Sequence, residues 1–190
     1  MSELVVGADG LARCGWCGSS DLYVAYHDNE WGQPQRDDRT LFEKMSLEAF
    51  QSGLAWITIL RKRENFRKAF ANFDAVEVAS FGEKDIERLL ADTGIVRNRQ
   101  KIEATIHNAR VLADLPLPLN ELLWSFAPPP RPARLASFAD FPASTPESKA
   151  MAKDLKKRGF RFVGPTTAYA LMQAMGMVDD HLKGCHVRVM

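Results

Sequence analysis

Side chains that can bind a metal are concentrated at the two ends of this sequence. The first group is Cys14, Cys17 and His27, and the second is His181, Cys185 and His186. Zinc in structural sites favours four such ligands in a closed tetrahedron. Two ligands from each end would let one ion close a loop of most of the chain. The spacing does not match a zinc finger, however, so the absence of a metal and a redox role for the C-x-x-C pair both stay open.

Aromatic and acidic side chains that could recognise a polar ligand follow in residues 23–56. Tyr23 and Tyr26 are three residues apart and would share one face of a helix. Glu48 interrupts the apolar part of a helical pattern, and Trp56 follows shortly after it. Each residue also has an ordinary explanation, with the tyrosines at the rim of an amphipathic turn and the acid pointing outward. The functional interpretation is a buried Glu48 carboxylate that binds the polar edge of a ligand.

A basic segment punctuated by glycines predicts a helical hairpin at about residues 155–170. Glycine follows the first helix, and Pro165 stands where the first residue of the next helix is expected. Such a hairpin leaves backbone N–H groups free at a helix N-terminus, which suits a phosphate. The candidate residues for binding a nucleic-acid backbone are Lys156, Lys157, Arg158, Gly159, Arg161 and Gly164. The alternative is an ordinary helical corner with a glycine cap.

The composition is that of an ordinary globular protein. Of 190 residues, 46% are hydrophobic and 26% are charged, and the net charge is +1, so a nucleic-acid site would have to be a local basic patch. No apolar run is long enough to cross a membrane, and the first residues do not resemble a secretory signal. Three cysteines are too few for a disulfide scaffold, which favours reduced thiols and a cytoplasmic location.

Hydrophobic periodicity predicts an all-α protein. Helical patterns recur along the chain, and no alternation typical of strands is sustained. Residues 1–12 are expected to be a flexible leader, and residues 13–190 a single helical domain in which two lobes are possible. The proline-rich segment 128–132 is expected to be a long surface loop.

Several long motifs resemble those of one enzyme family. They are R-C-G-W, L-Y-x-A-Y-H-D-N-E-W-G, L-F-E-x-x-x-L-E, G-L-x-W-I-T-x-L-x-K-R-E-N, K-K-R-G-F-x-F-V-G and D-H-x-x-G-C. In this order and without gaps inside the longer motifs, they resemble the 3-methyladenine DNA glycosylase I (Tag) family. That family belongs to the helix-hairpin-helix DNA glycosylase superfamily, and the resemblance extends from Arg13 to about Cys185.

The resemblance implies an enzyme that flips 3-methyladenine out of alkylated double-stranded DNA and hydrolyses its N-glycosidic bond. One structural zinc would be held by Cys14, His27, His181 and Cys185, which leaves Cys17 outside the family pattern. The family's base pocket falls on Tyr23, Tyr26, Glu48 and Trp56, with Trp16 and Trp31 nearby. The phosphate-binding hairpin would be the segment described above. A monomer is expected.

The resemblance also implies a monofunctional enzyme, because no lysine stands at the superfamily's position for a Schiff base. Methylation makes the adenine cationic, so little acid catalysis is needed, and Glu48 would act mainly by recognising the base. The superfamily's catalytic aspartate aligns with Asp179, where Tag relatives commonly have asparagine. Asp179 could therefore stabilise the sugar cation or simply cap a helix end. A zinc-stabilised DNA-binding module without catalysis is the alternative, although it would not need the full pocket.

Overall fold

The computed structural model describes residues 3–189, which form nine α-helices and one sheet of two short strands. The strands are β1 (Leu4–Val6) and β2 (Ala12–Cys14). The helices are α1 (Asp21–Asn29), α2 (Asp38–Gln51), α3 (Trp56–Ala69), α4 (Ala75–Ser80), α5 (Glu83–Ala91), α6 (Arg99–Ala113), α7 (Leu119–Trp124), α8 (Pro146–Lys157) and α9 (Pro165–Ala174). The predicted helical class is confirmed.

Most helix starts follow from local capping. The side chains of Asp37, Asp74, Asn98 and Thr145 accept hydrogen bonds from first-turn N–H groups of α2, α4, α6 and α8. Such caps stabilise a helix by about 1 kcal/mol each. Pro165 occupies the first turn of α9, where its missing N–H costs nothing.

The small sheet lies in the segment for which the sequence predicted a flexible leader. Strand β1 pairs antiparallel with β2, so that Leu4 faces Cys14 across the pair. Each strand has three residues, which is too short to show the alternation that identifies a strand in a sequence. Residues 1 and 2 of the expected leader lie outside the described residues.

Helix α2 runs through the centre of the molecule. Every residue from Leu41 to Phe50 is buried, which is typical of a helix surrounded by other elements. It packs against α3, α6, α7 and α9. The polar residues of this stretch, including Glu48, are therefore carried into the interior.

The two ends of the chain meet in a second, smaller apolar cluster. Cys14, Leu182, Cys185 and Val187 form its centre, and Phe138 packs against them. The proline-rich segment is a loop, as predicted, and the residues after it contribute to this cluster.

None of the helices in residues 3–189 combines the length and the apolar character that crossing a membrane requires.

Candidate active site and metal centre

An aromatic cleft of about 180 Å³ lies between α1, α2, α3 and α9. Its lining contains all six residues expected for the base pocket and three others. The lining residues are Trp16, Tyr23, Tyr26, Trp31, Glu48, Gln51, Trp56, Ala170 and Gln173. The structure therefore brings together side chains that are spread over most of the sequence.

Four of these side chains are placed by the way their helices begin and pack. Tyr23 and Tyr26 lie on one face of α1, whose first turn is capped by Ser20. Glu48 lies on buried α2, and Trp56 is the first residue of α3. The outward-pointing alternative for Glu48 is wrong, because this residue is only 6% exposed.

The cleft has an unusual electrostatic character because of Glu48. Burial raises the pKa of the Glu48 carboxyl from 4.5 to about 7, although the charge of Lys44 lowers it. No group in the described part of the chain donates a hydrogen bond to this carboxylate. Buried polar groups are normally partnered, so a carboxylate left open in a cleft can accept a hydrogen bond from a ligand.

Aromatic rings form the walls of the cleft. Trp16 packs edge-on against Tyr23 at 5.0 Å and against Trp31 at 5.1 Å, and Tyr26 lies 5.5 Å from Trp56. The buried Nε1 of Trp56 has no acceptor among the described residues. A planar ligand, and especially a cationic one, is favoured by such rings.

Gln51 and Gln173 line the cleft but were missed at the sequence level. Gln173 lies on α9, which is otherwise almost entirely apolar, and its Nε2 donates to Asp180 at 2.8 Å. A lone amide on an apolar helix is a signal that could have identified it. Gln51 ends α2 and binds the carbonyl of Leu54, and nothing in its local sequence distinguishes it.

The expected metal ligands form one buried cluster. The ligand atoms of Cys14, His27, His181 and Cys185 all lie within 4.8 Å of one another. The Cys185 Sγ lies 3.5 Å from His27 Nε2 and 3.6 Å from His181 Nδ1, and Cys14 Sγ lies 3.9 Å from His181 Nδ1. Tetrahedral zinc with bonds of about 2.0–2.3 Å needs ligand atoms roughly 3.3–3.8 Å apart, so the cluster is close to that geometry.

The surroundings of the cluster orient both histidines and favour the thiolate form of one cysteine. The Asp28 carboxylate lies 2.7 Å from His27 Nδ1, and the Trp31 carbonyl lies 3.2 Å from His181 Nε2. These acceptors place the proton on the outer nitrogen of each ring and leave the inner nitrogen free. Neighbouring donors, above all the Cys14 thiol, hold the pKa of Cys185 well below its usual range. Two sulfurs and two imidazoles with these acceptors fit a structural metal site.

Cys17 and His186 lie near this cluster without belonging to it. Cys17 is buried but contributes no ligand atom, so the C-x-x-C pair does not form a metal knuckle. His186 Nε2 lies 3.1 Å from Asp28, which also receives hydrogen bonds from Arg13.

Trp16 and Trp31 connect the Cys–His cluster to the cleft. Trp16 lies 5.2 Å from the His27 ring, and Trp31 lies 4.8 Å from the His181 ring. The same two indoles line the cleft. The Cys–His cluster therefore supports one wall of the cleft.

Asp179 is not among the residues that line the aromatic cleft. Its carboxylate accepts hydrogen bonds from Arg134 Nε at 2.8 Å and from the backbone N–H of His181 at 3.1 Å. The neighbouring Asp180 is fully buried and binds Arg131, Tyr169 and Gln173. Both aspartates thus hold the segment that leads into His181.

The basic hairpin forms between α8 and α9. Lys156, Lys157, Arg158, Arg161 and Gly164 are exposed, and Gly159 adopts a positive φ of 101° at the end of α8. Asn108 on α6 clamps the turn, since its side chain accepts from Arg161 N–H and donates to Arg161 carbonyl.

This clamp changes which backbone donors remain in the hairpin. The N–H groups of Gly159, Phe160 and Arg161 are already used. Within the described chain, no protein acceptor is bonded to the backbone N–H groups of residues 162–164 or to those of Thr166 and Thr167 at the start of α9. Any phosphate would therefore be bound towards the α9 side of the turn.

The sequence is similar to those of known proteins. The methyladenine glycosylase family matches residues 16–189. DNA-3-methyladenine glycosylase 1 of Escherichia coli K12 is 49% identical over 92% of this chain and 96% of its own. DNA-3-methyladenine glycosylase of Haemophilus influenzae is 44% identical over 91% of this chain and 96% of its own.

Solved structures give the same result for the fold. A crystal structure of 3-methyladenine DNA glycosylase I (TAG) is 50% identical and has a TM-score of 0.88, covering 92% of this chain and 98% of that one. The Staphylococcus aureus enzyme is 34% identical with a TM-score of 0.86, covering 92% and 95%. This chain belongs to the methyladenine glycosylase family.

Proposed function

We propose that this chain is a DNA repair glycosylase that removes 3-methyladenine from alkylated double-stranded DNA. The observation that carries this proposal is the buried, unpartnered carboxylate of Glu48 in an aromatic cleft. Family membership supports it, as does a relative, 33% identical with a TM-score of 0.86, whose crystal structure is a complex with 3-methyladenine.

The cleft recognises the base after the nucleotide has left the helix. A base inside a duplex cannot enter a pocket, so the target must be flipped out. A 3-methylated adenine in DNA is cationic, and the faces of Tyr26, Trp56 and Trp16 attract it. Ionised Glu48 accepts a hydrogen bond from the exocyclic amine, and a hydrogen bond to a charged group contributes roughly 1.5–3 kcal/mol. Unmodified adenine offers the amine but not the charge.

The reaction needs little assistance from protein acids. The bond between C1′ and N9 breaks and its electron pair neutralises the cationic base, which leaves as neutral 3-methyladenine. Water adds its oxygen to C1′ and releases a proton to solvent, so the product is an abasic site without strand cleavage. Glu48 acts by holding the base, and the Arg134 and His181 contacts of Asp179 support a positioning role for that aspartate.

We also propose that the metal is zinc, bound once per chain in a structural role. Two sulfurs and two imidazoles are the ligands that zinc prefers, and four protein ligands leave no position for an activated water. Bound zinc would supply only cross-linking of the two chain ends.

Three free cysteines support a reducing, cytoplasmic location.

The segment between α8 and α9 would act as a helix-hairpin-helix motif that grips a DNA phosphate. The exposed cations at 156–158 and 161 and the free N–H groups towards α9 support this. Contacts of this kind position a protein on DNA without reading sequence. We expect the protein to act as a monomer.

Release of free base is the decisive experiment. Purified protein is incubated with DNA treated with a methylating agent, and the released purines are separated by chromatography. We expect the wild type to release 3-methyladenine and folded Glu48→Gln to release it much more slowly. If metal-loaded, folded wild type binds the DNA but releases no base, the chain is a damage-binding module and the glycosylase assignment is wrong.

A further inference from the structure

A second buried charge lies beside Glu48 and is not used by the mechanism above. Lys44 is 9% exposed on α2, one helical turn before Glu48, so the two side chains share a face. Its Nζ lies 5.9 Å from the centre of the Tyr26 ring, and Tyr26 lines the cleft. Within residues 3–189 this ammonium makes no hydrogen bond or close ion pair. A lysine is almost never buried in this way without a partner.

We propose that Lys44 is a positioning residue that acts through Glu48, its ammonium keeping Glu48 in the carboxylate form that binds the cationic base at neutral pH. The proposal rests on the proposed function, because Glu48 is the group through which Lys44 would act. Lys44 itself does not line the cleft.

The other charges around Glu48 are already engaged. On the neighbouring helices, Glu30 of α1 pairs with Arg63 of α3, and Glu43 of α2 pairs with Arg67 of α3. On α6, Lys101 donates to the carbonyls of Phe50 and Ser52. The tyrosines nearest the cleft are Tyr23 and Tyr26 of α1, which line it, and Tyr169 of α9 donates to Asp180. Lys44 is the opposite charge that lowers the pKa of Glu48.

Lys44 can hold its own charge in this position. Burial lowers the pKa of its ammonium, while the carboxylates of Glu30, Glu48 and Glu43 raise it. The face of the Tyr26 ring also favours a cation. Two opposite charges one turn apart therefore stabilise each other, although neither is neutralised by direct contact.

Removal of the Lys44 charge gives a specific pH signature. The pKa of Glu48 is about 7 with Lys44 present, so the carboxylate is gained as pH rises through neutrality. An opposite charge about 4–6 Å away lowers a carboxyl pKa by about 1–3 pH units. In Lys44→Met the acid limb of the excision rate should therefore move up by about one pH unit, making excision about tenfold slower at pH 6. At pH values where Glu48 is ionised in both proteins, Lys44→Met should bind the cationic base at least as well as wild type, because the positive charge of Lys44 no longer repels it.

The test measures the titration of the Glu48 carboxyl directly, by NMR, in the protein without DNA. The protein is labelled with ¹³C at the glutamate carboxyl carbons, and the Glu48 signal is identified by its absence in Glu48→Gln. We expect its titration midpoint to rise by about one pH unit in Lys44→Met and Lys44→Gln, and to stay at the wild-type value in Lys44→Arg. Lys62→Met removes a lysine that binds loop carbonyls at Thr93 and Gly94, and serves as the matched control with no change.

The pH dependence of excision provides the second readout. In each variant, the pH at which the excision rate falls on the acid side should match the titration midpoint of Glu48 measured by NMR. In a Glu48→Gln background, Lys44→Met should cause no further shift of the pH dependence. An unchanged Glu48 midpoint in folded Lys44→Met or Lys44→Gln overturns the inference about Lys44. Failure of the wild type to excise 3-methyladenine would overturn the proposed function instead, and the NMR titration would still decide whether Lys44 controls Glu48.

Discussion

In the Cys–His cluster, both outer histidine nitrogens have acceptors, and the Cys14 sulfur accepts a hydrogen bond from the Leu182 N–H. In the cleft beside it, the Glu48 carboxylate and the Trp56 Nε1 have no partner in the described structure. Both regions are buried and both combine distant parts of the chain. In the cluster, the protein itself provides hydrogen-bond partners for the polar atoms. In the cleft, polar atoms are left without a protein partner.

The difference separates a site that stabilises the fold from one that is held ready for a ligand. Leaving a buried polar group unpaired costs about 1–3 kcal/mol, and a charge costs more. Trp16 and Trp31 join one wall of the cleft to the Cys–His cluster, which holds that wall in place. Changes in the two regions should therefore have opposite effects on stability.

Loss of a metal ligand should have the largest effect. Cys14→Ser is expected to lose the zinc and to lower the free energy of unfolding by more than about 3 kcal/mol, because structural zinc contributes about 10–16 kcal/mol of binding free energy in small domains. Elemental analysis and urea unfolding measure the two effects. Cys17→Ser, which removes a buried thiol outside the cluster, is the matched control and should keep its zinc. Zinc lost from Cys17→Ser but retained by Cys14→Ser would show that the wrong cysteine was assigned.

Glu48→Gln should stabilise the fold while abolishing rapid excision. The pKa of Glu48 is raised from 4.5 to about 7, so the folded protein binds an extra proton and loses stability as pH rises from 4.5 to 7. Removing this charge should raise the free energy of unfolding at pH 8 by about 1–3 kcal/mol and have little effect below pH 4.5. Thermal unfolding at both pH values measures this. Equal stabilisation at both pH values would contradict a buried, titrating carboxylate.

Trp56→Ala should weaken the binding of free 3-methyladenine. Stacking of a base on an aromatic side chain contributes roughly 1–3 kcal/mol, so its loss lowers the affinity about fivefold to 150-fold. Calorimetry gives the affinity, and Trp56→Phe should restore most of it because the ring face is kept. Wild-type affinity in the folded alanine variant would place the base elsewhere in the cleft.

The hairpin cations should have the smallest individual effects. We expect a fewfold weaker DNA binding in each of the variants Lys156→Ala, Lys157→Ala and Arg161→Ala. Each should also reduce the slope of log affinity against log salt concentration by about one, the contribution of one phosphate contact. The loss should be the same for different flanking sequences, as filter binding at several salt concentrations can measure. Lys84→Ala, an exposed cation on α5, serves as the control. A sequence-specific loss would contradict a role in phosphate binding.

Local signals predicted much of the secondary structure, and the resemblance to a known family supplied the expected residues of the cleft. Helix starts at Asp37, Asp74 and Thr145 could be recognised because capping depends on neighbouring residues alone. The burial of Lys44 could not be predicted. Periodicity assumes that a helix has one solvent face, and α2 has none. The Asn108 clamp on the hairpin joins residues 53 positions apart, so no local pattern reveals it.

The sequence by itself determined the helical class, the positions of most helices and the motifs that identify the family. These follow from interactions between residues a few positions apart, together with residue types that few other families combine. Only the tertiary structure decided that Glu48 faces a cleft without a partner, and that Asp28 and Trp31 orient the two histidines. Such arrangements depend on how the helices pack, because burial and charge are set by neighbours that are distant in the sequence.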